Sequence, residues 1–102
     1  MPSTRLMARI DDSARPRLAP HVRMRYDAAR GQHALLSPET VWVVNDTGAA
    51  IVELCDGRRT VAEIQSELQS RYSRVDDARI NGEVRRFLAD LVAKHGMEVN
   101  HG

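Results

Sequence analysis

The sequence predicts an α+β fold, winged-helix-like, in which a three-stranded antiparallel sheet is followed by three α-helices. Two observations predict it. Strand signals, a period of two over residues 22–26 and an unbroken β-branched and aromatic run over Val41–Val44, extend as far as Val44, and a helical period runs from Asn45 onward. Helix-capping chemistry begins at that same point. Strands first and helices afterwards is the order of an α+β domain, not of alternating βαβ units.

The elements follow in order. Residues 1–14 show no sustained period and are expected to form a mobile tail or linker, with the domain over 15–99 and a short tail over 100–102. Arg15-Pro16 and Ala19-Pro20 force extended backbone, because a residue before proline avoids the helical region. Val22, Met24 and Tyr26 alternate with Arg23 and Arg25 in a first strand, and Asp27 to Gly31 supply a turn. A second strand over about 33–36 is ended by Pro38. A third, Val41–Val44, is β-branched or aromatic at every position.

Asn45, Asp46 or Thr47 can cap a first helix carrying Ile51, Leu54 and Cys55, with Gly57 placed for a left-handed ending. Thr60 and Glu63 spell a capping box ahead of a second helix with Val61, Ile64, Leu68 and Tyr72 on one stripe. A third helix starts near residues 73–77, where Asp76 and Asp77 suit the positive end of the dipole. Its stripe is Ile80, Val84, Phe87, Leu88 and Leu91, ending near His95-Gly96.

Composition narrows the function. A chain of 102 residues supports one modest core. Fifteen basic and fourteen acidic residues nearly cancel, which speaks against nucleic-acid binding. The first 44 residues nevertheless carry seven arginines against Asp11, Asp12, Asp27 and Glu39. No apolar run approaches a membrane span, the start lacks the continuous apolar stretch of a signal peptide, and a lone Cys55 suits a reducing compartment. A cytoplasmic protein that does not engage a membrane is expected.

A catalytic constellation is hard to assemble. His21, His33, His95 and His101 are scattered, none at the spacing of a helical metal site, so no metal or cofactor is expected. Cys55 lies on an apolar face, where a buried thiol is expected and not a nucleophile. Gly31, Gly48 and Gly57 are too far apart for a phosphate loop. Arg23 and Arg25 leave two readings open: a solvated strand face that discourages aggregation, or a docking patch for an acidic partner. Trp42 is either core or, beside an open edge, a recognition anchor.

Several separate motifs, in order and suitably spaced, resemble the PqqD family of peptide chaperones of pyrroloquinoline quinone biosynthesis. They are Arg15-Pro16 with Leu18, Leu35-Leu36-Ser37-Pro38-Glu39, Asn45, Leu54-Cys55-Asp56-Gly57 and Thr60-Val61-Ala62-Glu63-Ile64, continued by Phe87-Leu88 and Leu91. The resemblance spans roughly residues 15–99. Glu83-Val84 stands where the family commonly has Asp-Val, Trp42 replaces an aliphatic, and the ending is Gly96-Met97-Glu98-Val99. The resemblance implies a non-enzymatic adaptor that binds the ribosomal precursor peptide, PqqA, and presents it to a radical S-adenosylmethionine enzyme, PqqE. It implies peptide addition as a strand along Val41, Trp42, Val43 and Val44, leaning on Ile80, Val84, Phe87 and Leu91. The long N-terminal extension is similar to that of members fused behind a partner enzyme. The rival reading is a winged-helix DNA-binding regulator, and a weak homodimer through the same edge stands beside a monomer.

Overall fold

A computed structural model describes residues 10–100. The elements run β1 (Arg15–Leu18), β2 (Arg23–Asp27), β3 (Gln32–Leu36), β4 (Val41–Val44), α1 (Asp46–Leu54), α2 (Val61–Arg71), α3 (Asp77–Ala93) and β5 (Met97–Asn100). The expected three-stranded sheet is present, antiparallel in the order β2-β3-β4, and three helices follow it. The arrangement goes further than expected: β1 and β5 form a second antiparallel sheet of two strands, with Pro16 opposite Val99. The prolines announce the extended backbone of β1, but its partner lies some eighty residues downstream and leaves no local signal. Pro16, which has no amide donor, is tolerated in this narrow ribbon, and its carbonyl accepts from the Gly57 N–H at 2.9 Å.

Of the tail expected over 1–14, residues 1–9 lie outside the described residues, while 10–14 pack against the domain. Ile10 and Ala14 are fully buried. The Ala14 carbonyl accepts from the Val61 N–H at 2.8 Å, and that of Asp12 from the Ala62 N–H at 3.1 Å, so this segment satisfies donors at the start of α2. Arg85 of α3 donates to the Ile10 carbonyl and to the Asp12 carboxylate.

The helix ends follow the capping chemistry. Asn45 caps α1, its Oδ1 accepting from the Gly48 N–H at 2.7 Å. Thr60 and Glu63 close the capping box of α2 in both directions. Gly57 has φ +79°, the left-handed conformation expected of it. The end of α3 is less orthodox. The His95 N–H bonds the Val92 carbonyl and the Gly96 N–H the Leu91 carbonyl, a Schellman ending whose left-handed residue, φ 61°, is His95 and not the glycine beside it.

The core joins Leu35 and Val44 of the sheet to Ile51, Val61, Ile64, Leu68, Val84 and Leu88 of the helices. Gln65 shares the buried stripe of α2, a polar residue that the periodicity did not single out. Cys55 is buried, and burial pushes its thiol up to about 12, with the Asp56 charge adding to the effect. That is the inert, structural cysteine its position suggested.

Replacing His95 by Gly is expected to raise stability by about 1 kcal/mol, because a left-handed L-residue costs roughly 1–2 kcal/mol. A urea midpoint that stays or falls contradicts this. Acid should act through Asp56 and Glu63. The backbone N–H groups of Arg59 and Arg58 hold the Asp56 carboxyl below its ordinary 3.8, and the Thr60 N–H and hydroxyl hold Glu63 below 4.5. Carboxyls with depressed folded values stabilise fully above their unfolded pKa and lose that contribution as pH falls through the folded one. An Asp56→Asn, Glu63→Gln double variant should therefore lose less stability than the parent between about pH 5 and about pH 2, read by thermal melts at each pH.

Candidate functional site

Strand pairing fixes which side chains share a face, because residues directly opposite on neighbouring strands project to the same side. The inner rows are Met24–Leu35–Trp42 and Tyr26–His33–Val44; the outer rows are Arg23–Leu36–Val41 and Arg25–Ala34–Val43. Leu35 is fully buried and Val44 nearly so, whereas Val41 and Val43 stay 63% and 62% exposed. The helices thus cover one face of the sheet and leave the other to solvent.

β4 is one of the two margins of the three-stranded sheet, β2 being the other, and among the described residues no strand pairs with its far side. The Ser37–Thr40 turn sets the pairing alternation, since the Ser37 N–H donates to the Thr40 carbonyl at 2.9 Å. Alternation from that pair directs the main-chain groups of Trp42 and Val44 toward β3 and those of Val41 and Val43 toward the open margin. A margin of this kind is a template for a further strand.

Helix α3 packs against α2, α1 and β5. The Trp42 ring lies near Gly96, where an added Cβ would stand 3.7 Å from Cη2. Further along, the Phe87 ring sits directly on Gly48 of α1: a Cβ there would come within 2.9 Å of Cε1. Beside this contact is a trough of about 440 Å³, with Asn45, Thr47 and Gly48 on one wall and Glu83, Arg86, Phe87 and Asp90 on the other. Thr47 and Glu83 also line a second hollow of about 190 Å³ that reaches Ile80, Val84 and Tyr72.

The eight residues assigned to peptide binding from sequence therefore occupy different positions. Val41 and Val43 offer main chain to the margin while their side chains point to the outer face. Trp42 is half-buried against the core, and Val44 is part of it. On α3, Ile80, Val84 and Leu91 are buried, and Phe87 is the half-exposed member of the group. Sequence reasoning did not select Asn45, Thr47, Gly48, Glu83, Arg86 or Asp90. A glycine within a helical run was the available signal, since it marks close approach as often as weakness. Among the described residues no group of three His, Cys, Asp or Glu is placed to hold a metal, and no helix is long and apolar enough to cross a membrane.

Comparison with known proteins gives a consistent picture. The family described as Coenzyme PQQ synthesis protein D (PqqD) matches residues 32–95. A PqqA binding protein of Pseudomonas fluorescens is 37% identical over 89 residues, covering 87% of this chain and 96% of that one. A PqqA binding protein of Rhodopseudomonas palustris is 35% identical over 85 residues, covering 83% and 82%. The bifunctional coenzyme PQQ synthesis protein C/D of Methylorubrum extorquens is 39% identical over 83 residues, 81% of this chain but 22% of that longer protein. The solution NMR structure of the PqqD truncation of Methylobacterium extorquens PqqCD is described as a functional, stand-alone recognition element for ribosomally synthesised, modified peptides. It is similar with a TM-score of 0.71 and 38% identity, over 81% of this chain and 87% of that one.

Gly48→Ala tests the packing of the trough. The added methyl must displace the Phe87 ring, while the gain in helix propensity of about 1 kcal/mol offsets the lost contact. Stability should stay within about 1 kcal/mol of the parent, with the Phe87 ring resonances shifted; unshifted resonances would contradict the contact.

Proposed function

The chain belongs to the PqqD family, and from that premise we propose that it binds the ribosomal precursor peptide PqqA by strand addition and presents it to the radical S-adenosylmethionine enzyme PqqE. In this reading it is a cytoplasmic chaperone without catalysis of its own, and its peptide-binding domain is the expected 15–99 segment extended by the packed residues 10–14 and by Asn100 of β5. The observation that carries the reading is the open margin of β4, followed directly in the chain by Asn45 on the wall of a trough that Phe87 also lines.

The energetics suit a carrier. Each main-chain bond to Val41 or Val43 contributes about 0.5–1.5 kcal/mol net. An apolar peptide side chain settling against Phe87 adds about 1.5–3 kcal/mol. Ordering a disordered peptide costs about 2–5 kcal/mol, so a few such contacts give affinity near micromolar, about −8 kcal/mol. That captures a scarce peptide and still releases it. The polar rim of Glu83, Arg86 and Asp90 can fix peptide direction without adding much affinity.

The DNA-binding alternative loses ground on α3 itself. Arg79 pairs with Glu83 at 3.4 Å and Arg85 with Asp12, so these cations are already engaged.

Phe87→Ala is expected to weaken the peptide about tenfold or more, the equivalent of at least 1.4 kcal/mol. Glu53→Gln, on the exposed side of α1, should leave affinity unchanged. Calorimetry with synthetic precursor reads both. Equal affinity in a folded Phe87→Ala protein would remove the trough from the binding site.

A further inference from the structure

One side of α3 carries a row of charges, Arg79, Glu83, Arg86, Asp90 and Lys94, each three or four residues from the next and so in line along the helix. Their signs alternate. Both acids are taken by the outer bases: Arg79 Nε lies 3.4 Å from Glu83 Oε1, and Lys94 Nζ lies 3.0 Å from Asp90 Oδ2. Arg86 stands between them, exposed, and no carboxylate among the described residues pairs with it.

The lack of a partner does not by itself distinguish Arg86, since Arg15, Arg23, Arg25, Arg58 and Arg74 share it. Position does. Of the described residues that line the trough between α1 and α3, only Arg86 is basic, and it precedes Phe87 in the chain. Counted alone, the lining reads as acidic, because Glu83 and Asp90 border it too. Pairing reverses that reading. Each acid is offset by a base outside the lining, so the surplus charge in the trough is the Arg86 guanidinium. The facing wall of Asn45, Thr47 and Gly48 is uncharged.

We propose that Arg86 is a specificity-determining residue of the trough and selects a guest peptide with an Asp or Glu side chain opposite it. The inference rests on the proposed strand addition and adds the chemistry by which register is chosen. Main-chain pairing along β4 is blind to sequence: a guest displaced by two residues makes the same backbone bonds with the same faces inward. An apolar contact with Phe87 is non-directional and accepts many side chains. A guanidinium is more exacting, because it takes a carboxylate in a planar, forked pair. A slipped guest sets an uncharged or basic residue beside Arg86 and forfeits that pair. Since the row is exposed, the pair adds modestly to affinity, and its main effect is on which register wins.

The test is a double-mutant cycle read by calorimetry, with the full chain and synthetic precursor peptide. The peptide is made as the parent and as a set in which each Asp or Glu in turn becomes Asn or Gln. Arg86→Gln should weaken the parent peptide about fivefold. Arg58→Gln, which removes an exposed arginine that does not line the trough, should leave it unchanged. One peptide of the set should lose the same factor against wild type and nothing further against Arg86→Gln. Arg86→Glu paired with Lys at that peptide position should regain most of what either change loses alone. Unchanged affinity in Arg86→Gln overturns the proposal and leaves strand addition standing. So does a set in which losing each acid costs both proteins equally. Tighter binding by Arg86→Gln overturns it as well, since the trough would then select a cation. A wild type that does not bind the precursor removes the peptide-binding reading itself, and this proposal with it.

Discussion

The burial of Leu35 is the constraint on which the other features depend. It is the central residue of the central strand, and its full burial decides which side of the sheet faces the helices. Because side chains alternate with a period of two, that choice propagates without exception to both neighbours. Met24 and Trp42 go inward with it; Arg23, Arg25, Val41 and Val43 go outward. A slip of one residue would send Trp42 to solvent and bury two arginines without partners, at a cost the small core could not offset. One apolar contact layer therefore sets both surfaces, the trough and the face opposite it.

Around that layer the ends of the chain are tied down. β1 and β5 pair with each other, the 10–14 segment supplies carbonyls to the start of α2, and Arg85 reaches from α3 to the same segment. Ala19 donates to the Gly96 carbonyl at 3.0 Å, so the turn that ends α3 is fastened to the strand leading into the sheet. These long-range contacts hold the C-terminal end of α3 under Trp42.

The left-handed His95 just past α3 and the tight Phe87–Gly48 contact in its C-terminal half bracket the same stretch of the helix. In the proposed strand addition, a stretch held at both points does not have to reorganise. The binding cost then falls mainly on the guest peptide. Such pre-organisation is consistent with recognition that relies on main-chain pairing and a single aromatic contact, since neither alone would offset the ordering of a flexible helix as well.

Sequence alone determined the local grammar. The change from strand to helical grammar at Asn45, the capping box at Thr60 and Glu63, the left-handed Gly57 and the buried Cys55 are written in adjacent residues, and the structure has each of them. The motifs from Leu35 to Ile64 carried the family. What sequence could not decide was anything requiring two distant segments to meet. The β1–β5 ribbon, the packing of residues 10–14 and the partition of the α3 stripe into a buried Ile80, Val84 and Leu91 and a half-exposed Phe87 all follow from which surfaces come together. A period shows that apolar residues share one side of an element, but only the neighbour pressed against that side determines where burial stops and a groove begins.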